Sequence, residues 1–212
     1  MLELYAIPVS LYCAKTRILL RHKGLDWTET PPLGGYGSDA YKTVVPSGNL
    51  PALRDGALLL ADTEAIAEYL DEAYPEPPAL PVELNARAKC RERSRFHDTR
   101  LEPALRALFT YLPGRASAPD GVISEQSGIL SGLLRQFAKM LADTPEAGQS
   151  LTLAECGYPI TFAWIDAMTP LMQLKITWPD AVLEYRTRIE AVEAISAELE
   201  SYQPKLNAFL GG

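Results

Sequence analysis

Leu50-Pro-Ala-Leu-Arg-Asp-Gly-Ala-Leu-Leu-Leu-Ala-Asp-Thr-Glu-Ala-Ile-Ala-Glu-Tyr-Leu-Asp-Glu-Ala-Tyr74 is the stretch that decides the fold. Leu50–Arg54 and Ala57–Ala61 flank Asp55-Gly56, a strong signal for a two-residue hairpin. Asp62-Thr63 then opens a helix through Tyr74, with Ile66, Tyr69 and Leu70 on its inner face. Working back toward the start, Leu2, Leu4 and Ala6 alternate with Glu3 and Tyr5 and stop at Pro8, which reads as a short strand. Ser10 precedes a helical pattern through Lys23, with Gly24 as its C-terminal stop. A second strand fits Leu25–Glu29, and Pro31–Gly48 reads as mostly loop. The order is β-α-β, loop, β-β-α.

Working forward, four prolines in the seven residues from Pro75 to Pro81 exclude a helix and predict a semi-rigid linker. Beyond it the apolar period is helical nearly throughout. Asn85–Leu112 reads as one long helix bent near Pro103, and Ser124–Asp143 as a second. Thr152-Leu-Ala-Glu155 has the form of a capping box that opens an apolar helix, Cys156–Leu174. Pro179–Leu199 and Lys205–Leu210 complete the helical set. The expected organisation is a small α/β domain (1–75), a proline-rich linker (76–84) and an all-helical domain (85–212).

Composition narrows the function classes. The 212 residues carry 20 basic and 27 acidic side chains, a net charge of −7, which argues against nucleic acid as a partner. Three cysteines far apart (Cys13, Cys90, Cys156) build no disulfide framework, and with only His22 and His97 present no metal site is expected. The most apolar stretch, Gly157–Leu174, is interrupted by Asp166, Pro159, Pro170 and Gln173, so a buried core helix is expected there and not a membrane span. Met1–Ser10 is too short, and at Glu3 too acidic, for a signal peptide, so the expected location is the cytoplasm.

Four motifs in this order resemble the glutathione S-transferase family, theta-like bacterial type. Ser10-Leu11-Tyr12-Cys13 with Arg17 is similar to Ser-Pro-Tyr-Cys-x-x-x-Arg, and Val45–Leu53 to Asn-Pro-x-Gly-Lys-Val-Pro-x-Leu, whose last proline is cis in the family. Asp62-Thr63-Glu64-Ala65-Ile66 with Tyr69-Leu70 stands where the family has Glu-Ser-x-Ala-Ile-x-x-Tyr-Leu. Ser150–Glu155 resembles the cap of the buried helix in the second domain. Val45, Asp62-Thr63 and Glu155 depart from the pattern, and no Arg-Pro begins the last long helix. The resemblance implies a thioredoxin-like first domain followed by an all-helical one, and a homodimer. It also implies glutathione as co-substrate and transfer to a small hydrophobic electrophile in detoxification chemistry.

By the same resemblance, Ser10 is the expected catalytic residue. A hydroxyl and a helix N-terminus both favour the thiolate that the reaction needs, although Ser at that place is also an ordinary helix cap. Cys13 and Tyr12 are rival activators, Cys13 reading otherwise as a small buried hydrophobe. Leu50 and Pro51 would offer a backbone strip to the cysteinyl unit. Thr63 would hold the γ-glutamyl carboxylate, and Asp62 would face its ammonium. Asn49, with Lys42 or Tyr36, would meet the glycyl carboxylate. The electrophile is expected near Arg95, Phe96, Arg100 and Tyr111, while His97 and Thr152/Glu155 read as structural. Alternative readings are a glutathione-dependent disulfide reductase or isomerase on the same fold, or a non-catalytic interaction module. The Ser-Ser-Cys start usual in zeta-like isomerases is missing.

Overall fold

In β1 (Leu2–Tyr5) the leucines are buried and Glu3 and Tyr5 half-buried, the alternation of a strand with one covered face. The computed structural model describes residues 1–211; Gly212, the last residue of the expected all-helical domain (85–212), lies outside them. α1 (Leu11–His22) follows, and β2 (Trp27–Thr30) returns parallel to β1. β3 (Ala52–Asp55) and β4 (Leu58–Leu60) complete a sheet of order β2-β1-β3-β4, with β3 antiparallel to both its neighbours.

Asp55 pairs with Leu58 inside the ladder, so the hairpin turn is Gly56-Ala57, one residue later than the Asp-Gly signal suggests. Gly56 supplies the positive φ (+56°) that this turn requires. The Asp55 carboxylate accepts from the Tyr69 and Tyr74 hydroxyls at 2.8 Å each. Those hydrogen bonds tie the hairpin to α3 (Thr63–Ala73) and hold the Asp55 carboxyl below its ordinary range. Within the segment read as loop lies a short helix, α2 (Asp39–Lys42), capped by Ser38. Tyr41 on it is fully buried, packs against Tyr5 and donates its hydroxyl to the Asn49 carbonyl at 3.1 Å.

The helical half begins with α4 (Leu84–Phe96), and the long helix expected over 85–112 is not uniform. It widens into a π turn, His97–Leu101, then continues as α5 (Glu102–Arg106) and a 3₁₀ turn, Ala107–Tyr111. The disturbance falls just before Pro103, which has no N–H to give to the preceding turn. α6 spans Val122–Ala142. Thr152 and Glu155 form the expected capping box, opening a 3₁₀ turn (Leu153–Cys156) that leads into α7 (Tyr158–Met172).

The end of the chain corrects the expectation. In place of helices at 179–199 and 205–210 there are α8 (Asp180–Glu190) and α9 (Glu193–Gly211), broken at Ala191-Val192 and running through Pro204. The buried stripe of α8 (Val182, Tyr185, Ile189) resumes only at Ala194, five residues on, out of helical phase, so one straight helix cannot bury both stripes. Tyr202 and Leu206 are fully buried on either side of Pro204 and carry α9 past it. Among the described residues no helix is long and apolar enough to cross a membrane.

α1 is wedged between the halves, and its contacts are partly ionic. Lys15, only 2% exposed, donates to Glu64 of α3 and Asp98 of the π turn at 2.8 Å each, and to Ser94 of α4 at 3.2 Å. Arg17 pairs with the buried Glu198 of α9 at 2.6 Å. Burial alone would raise the Asp98 carboxyl, but His97 and Lys15 hold it well below the ordinary range.

Lys15→Met would keep the volume, strand the Glu64 carboxylate and leave Asp98 with His97 alone. The expected loss is about 3–5 kcal/mol in urea unfolding. Because Asp98 is more acidic folded than unfolded, its contribution is present above about pH 4 and lost as pH falls further. A loss under 1 kcal/mol at neutral pH would contradict this account of the ion cluster.

Candidate active site

A cleft of about 660 Å³ lies where the two halves meet. The α/β half supplies its floor from three chain corners: Ile7–Tyr12, Asn49-Leu50 and Ala61–Thr63. These are the segment after β1, the approach to β3, and the start of α3.

Ser10 caps α1, its Oγ accepting from the Cys13 amide at 3.2 Å. The cap uses a lone pair of the oxygen, and the hydroxyl proton has no acceptor among the described residues. Cap and donor are therefore compatible roles. Cys13 is fully buried, and burial pushes its thiol up despite the Ser10 hydrogen bond and Arg17 nearby. Tyr12 borders the cleft, but its hydroxyl is shared between Glu102 Oε2 (2.9 Å) and the Asp98 carbonyl (3.2 Å). Burial and those acidic neighbours hold that phenol far above its ordinary range, so it stays protonated and committed.

The Leu50–Pro51 peptide is cis, and neither polar backbone group of Leu50 has a partner among the described residues. Asp62 is the cap of α3, its Oδ1 accepting from the amides of Glu64 (3.0 Å) and Ala65 (2.9 Å). Thr63, the first helical residue, borders the cleft with its hydroxyl unpaired among the described residues. A helix start of this kind favours a carboxylate. Asn49 and Tyr36 also border the cleft; Lys42 does not, and pairs instead with Asp39 on the surface.

The opposite wall is helical and only partly as expected. Arg95 borders the cleft, whereas Phe96 stacks on Phe137 in the core, and Arg100 and Tyr111 lie away from it. Arg106, Phe109, Arg115, Trp164 and Phe209 stand there instead. Arg95, Thr99, Glu102, Arg106 and Phe109 recur every three or four residues, a stripe visible in the sequence once its start is known. Trp164 and Phe209 come from α7 and α9, and no local pattern marks them.

The π turn shapes this wall. The Glu102 amide bonds to the His97 carbonyl, one residue further back than in an α-helix, which frees the Asp98 carbonyl to meet Tyr12. His97, for which no partner was expected, holds Asp98 through Nδ1 and Thr161 through Nε2, both at 2.7 Å. Its role is structural as expected, and it fills the space over Gly157, where a Cβ would fall 2.5 Å from the ring. From α9, Tyr202 accepts from Trp164 Nε1 at 2.7 Å and donates to the Val9 carbonyl at 2.8 Å, fixing the residue just before Ser10.

Residues 4–78 match the family model described as glutathione S-transferase, N-terminal domain. Glutathione S-transferase Z2 of Arabidopsis thaliana is 37% identical over 160 residues, covering 73% of this chain and 72% of that protein. The chain belongs to the glutathione S-transferase family. A stringent starvation protein A homolog of Coxiella burnetii is 34% identical over 106 residues, 47% of this chain and 51% of that one. Among solved structures, a bacterial maleyl pyruvate isomerase described as a zeta-class glutathione S-transferase superposes with a TM-score of 0.77 at 24% identity, covering 95% of this chain and 98% of that one. This transferase thus shares its fold with a zeta-class protein while keeping Ser10-Leu11-Tyr12-Cys13 in place of Ser-Ser-Cys.

All three cysteines of this transferase are buried, and burial raises each thiol. An aromatic disulfide reagent at pH 8 is expected to titrate no thiol rapidly in the native protein and three after denaturation. One fast native thiol lost in Cys13→Ser would return Cys13 to the list of activators.

Proposed function

We propose that this transferase binds glutathione along the floor of the cleft, holds its sulfur as a thiolate beside Ser10, and delivers it to a small electrophile on the helical wall. The observation that carries this reading is the convergence on one cleft of three unpaired groups. They are the Ser10 hydroxyl at the start of α1, the backbone of Leu50 before its cis proline, and Thr63 at the start of α3. Thr63 would bind the γ-glutamyl carboxylate by its hydroxyl and amide. The Asp62 carboxylate, while capping α3, would face the ammonium. Leu50 would pair with the cysteinyl backbone, with Pro51 setting its direction, and Asn49 would reach the glycyl carboxylate.

The free thiol has a pKa near 8.5 and is mostly protonated at neutral pH. Donation from Ser10, added to the field of the α1 N-terminus, favours the anion. Bringing that anion against an electrophile supplies the effective concentration. The sulfur forms a bond to the electrophilic carbon, and a leaving group departs or the adduct takes up a proton. Under this reading residues 1–75 are the glutathione-binding domain, 76–84 the linker and 85–212 the domain contributing the electrophile pocket. The enzyme works as a cytoplasmic homodimer in detoxification. A second reading is a binding module without chemistry: the stringent starvation protein A homolog, 34% identical over 106 residues, carries a name that states no enzymatic activity.

Calorimetry with glutathione, beside a conjugation assay, separates the two. Thr63→Ala is expected to weaken binding by about 1.5–3 kcal/mol, the worth of a hydrogen bond to a charged group. Ser10→Ala should keep affinity, lower turnover and move the acidic limb of the kcat/KM profile to higher pH. Binding without turnover favours the module; no binding at millimolar glutathione defeats the transferase reading.

A further inference from the structure

Ser10 is delivered to the cleft by a four-residue turn, Ile7-Pro8-Val9-Ser10, between β1 and α1. The turn closes weakly on itself, the Ser10 amide reaching the Ile7 carbonyl at 3.3 Å. Its two central carbonyls, those of Pro8 and Val9, have no backbone partner among the described residues. The common turn types differ by rotation of the central peptide plane. A turn with both carbonyls free would pass no fixed orientation to the residue after it.

Both carbonyls are held from one helix. The Tyr202 hydroxyl of α9 donates to the Val9 carbonyl at 2.8 Å. Arg17 Nη2 donates to the Pro8 carbonyl at 3.2 Å, and its Nε is paired at 2.6 Å with Glu198. Glu198 lies one turn before Tyr202 on the same face of α9, and both are buried. The direction of the Tyr202 hydroxyl is dictated by its other neighbour. Trp164 Nε1 lies 2.7 Å away and can only donate. The phenol oxygen must accept from it, which leaves its single proton for Val9. Burial holds that phenol far above its ordinary range, so the proton is retained.

We infer that Tyr202 is a positioning residue for Ser10. By fixing the Val9 carbonyl it keeps the Ser10 hydroxyl directed at the thiol sulfur, while Glu198 holds the preceding carbonyl through Arg17. The inference rests on the transferase reading above, in which Ser10 favours the thiolate. Tyr202 does not border the cleft and touches no substrate. Tyr202→Phe removes one oxygen and no charge, and Arg17, Arg21, Glu29 and Glu198 around the turn keep theirs. A change in thiol acidity in this variant therefore reports the aim of Ser10 and not the local field.

The thiolate of bound glutathione is followed by its ultraviolet absorbance as pH is raised, in the wild type, Tyr202→Phe, Ser10→Ala and the double variant. Tyr158→Phe is the matched control, since Tyr158 is equally buried and donates to the Arg93 carbonyl at the same 2.8 Å, away from the cleft. The wild-type midpoint should lie below the free thiol's, about pH 8.5. Tyr202→Phe should raise it by about half a pH unit or more, and Ser10→Ala further. The double variant should match Ser10→Ala alone, because the two residues act through one hydroxyl. Affinity for S-methylglutathione, which has no thiol, should stay within about twofold of wild type in Tyr202→Phe.

An unmoved midpoint in Tyr202→Phe overturns the inference, as does an equal rise in Tyr158→Phe, which would mark general loosening. A further rise in the double variant overturns it too, since Tyr202 would then reach the sulfur by a route other than Ser10. Trp164→Phe keeps the phenol but removes the donor that aims it, and a smaller rise is expected. Should Tyr202→Phe fail to fold, an unmoved midpoint in Trp164→Phe overturns the inference in its place. A wild-type complex whose thiol is unshifted, or Ser10→Ala without effect, defeats the transferase reading of Ser10 and the inference with it.

Discussion

One buried ammonium sets the geometry of this molecule. Lys15 lies between a carboxylate of the α/β half and one of the helical half, and a cation there is required once Glu64 and Asp98 are both taken out of water. Buried ion pairs add little net stability compared with well-packed hydrocarbon, yet they are intolerant of rearrangement because each alternative leaves a charge unpaired. That intolerance fixes α1 against α3 and α4 at once. The starts of α1 and α3 and the wall facing them are thereby held in one register, and the cleft is the space that this register leaves.

Three adjacent candidates on the first turn of α1 show how environment decides chemistry. Cys13 has the most reactive side chain and is inert by burial. Tyr12 has an acidic hydroxyl and is committed to Glu102. Ser10 is the least acidic of the three and keeps a free proton in the cleft, being half-buried at the mouth of the helix. Residue type alone would have ranked them in nearly the opposite order.

Much of the α/β half was legible because its signals are local. The Ser10 and Asp62 caps, the Asp-Gly hairpin and the proline linker each depend on residues within a few positions of one another. Strand bounds there shift by one or two residues, while the short helix α2 inside the expected loop was missed. The candidate floor of the site followed for the same reason, since helix starts announce themselves. The wall was not legible. Trp164 and Phe209 meet through the packing of α7 on α9, Arg106 is tied through Glu102 to a tyrosine some ninety positions earlier in the chain, and the π turn reflects a proline together with a distant hydroxyl. The α8–α9 boundary was missed because each helix is amphipathic by itself, and only the phase between their stripes reveals the break.

The charges buried along α1 bear on how such a protein can be dissected or recombined. Lys15, Arg17 and Lys23 are all nearly inaccessible, and the first two find carboxylates in the helical half. The segment up to residue 78 looks self-contained by its sheet and by its family match, yet its first helix has the surface of an interior element. Excised, it would present a basic, partly apolar ridge to water. Grafted onto another helical partner, it would demand matching acids at two separate heights. Shuffling of halves between relatives is therefore limited by charge register along a single helix, however faithfully the sheet is preserved.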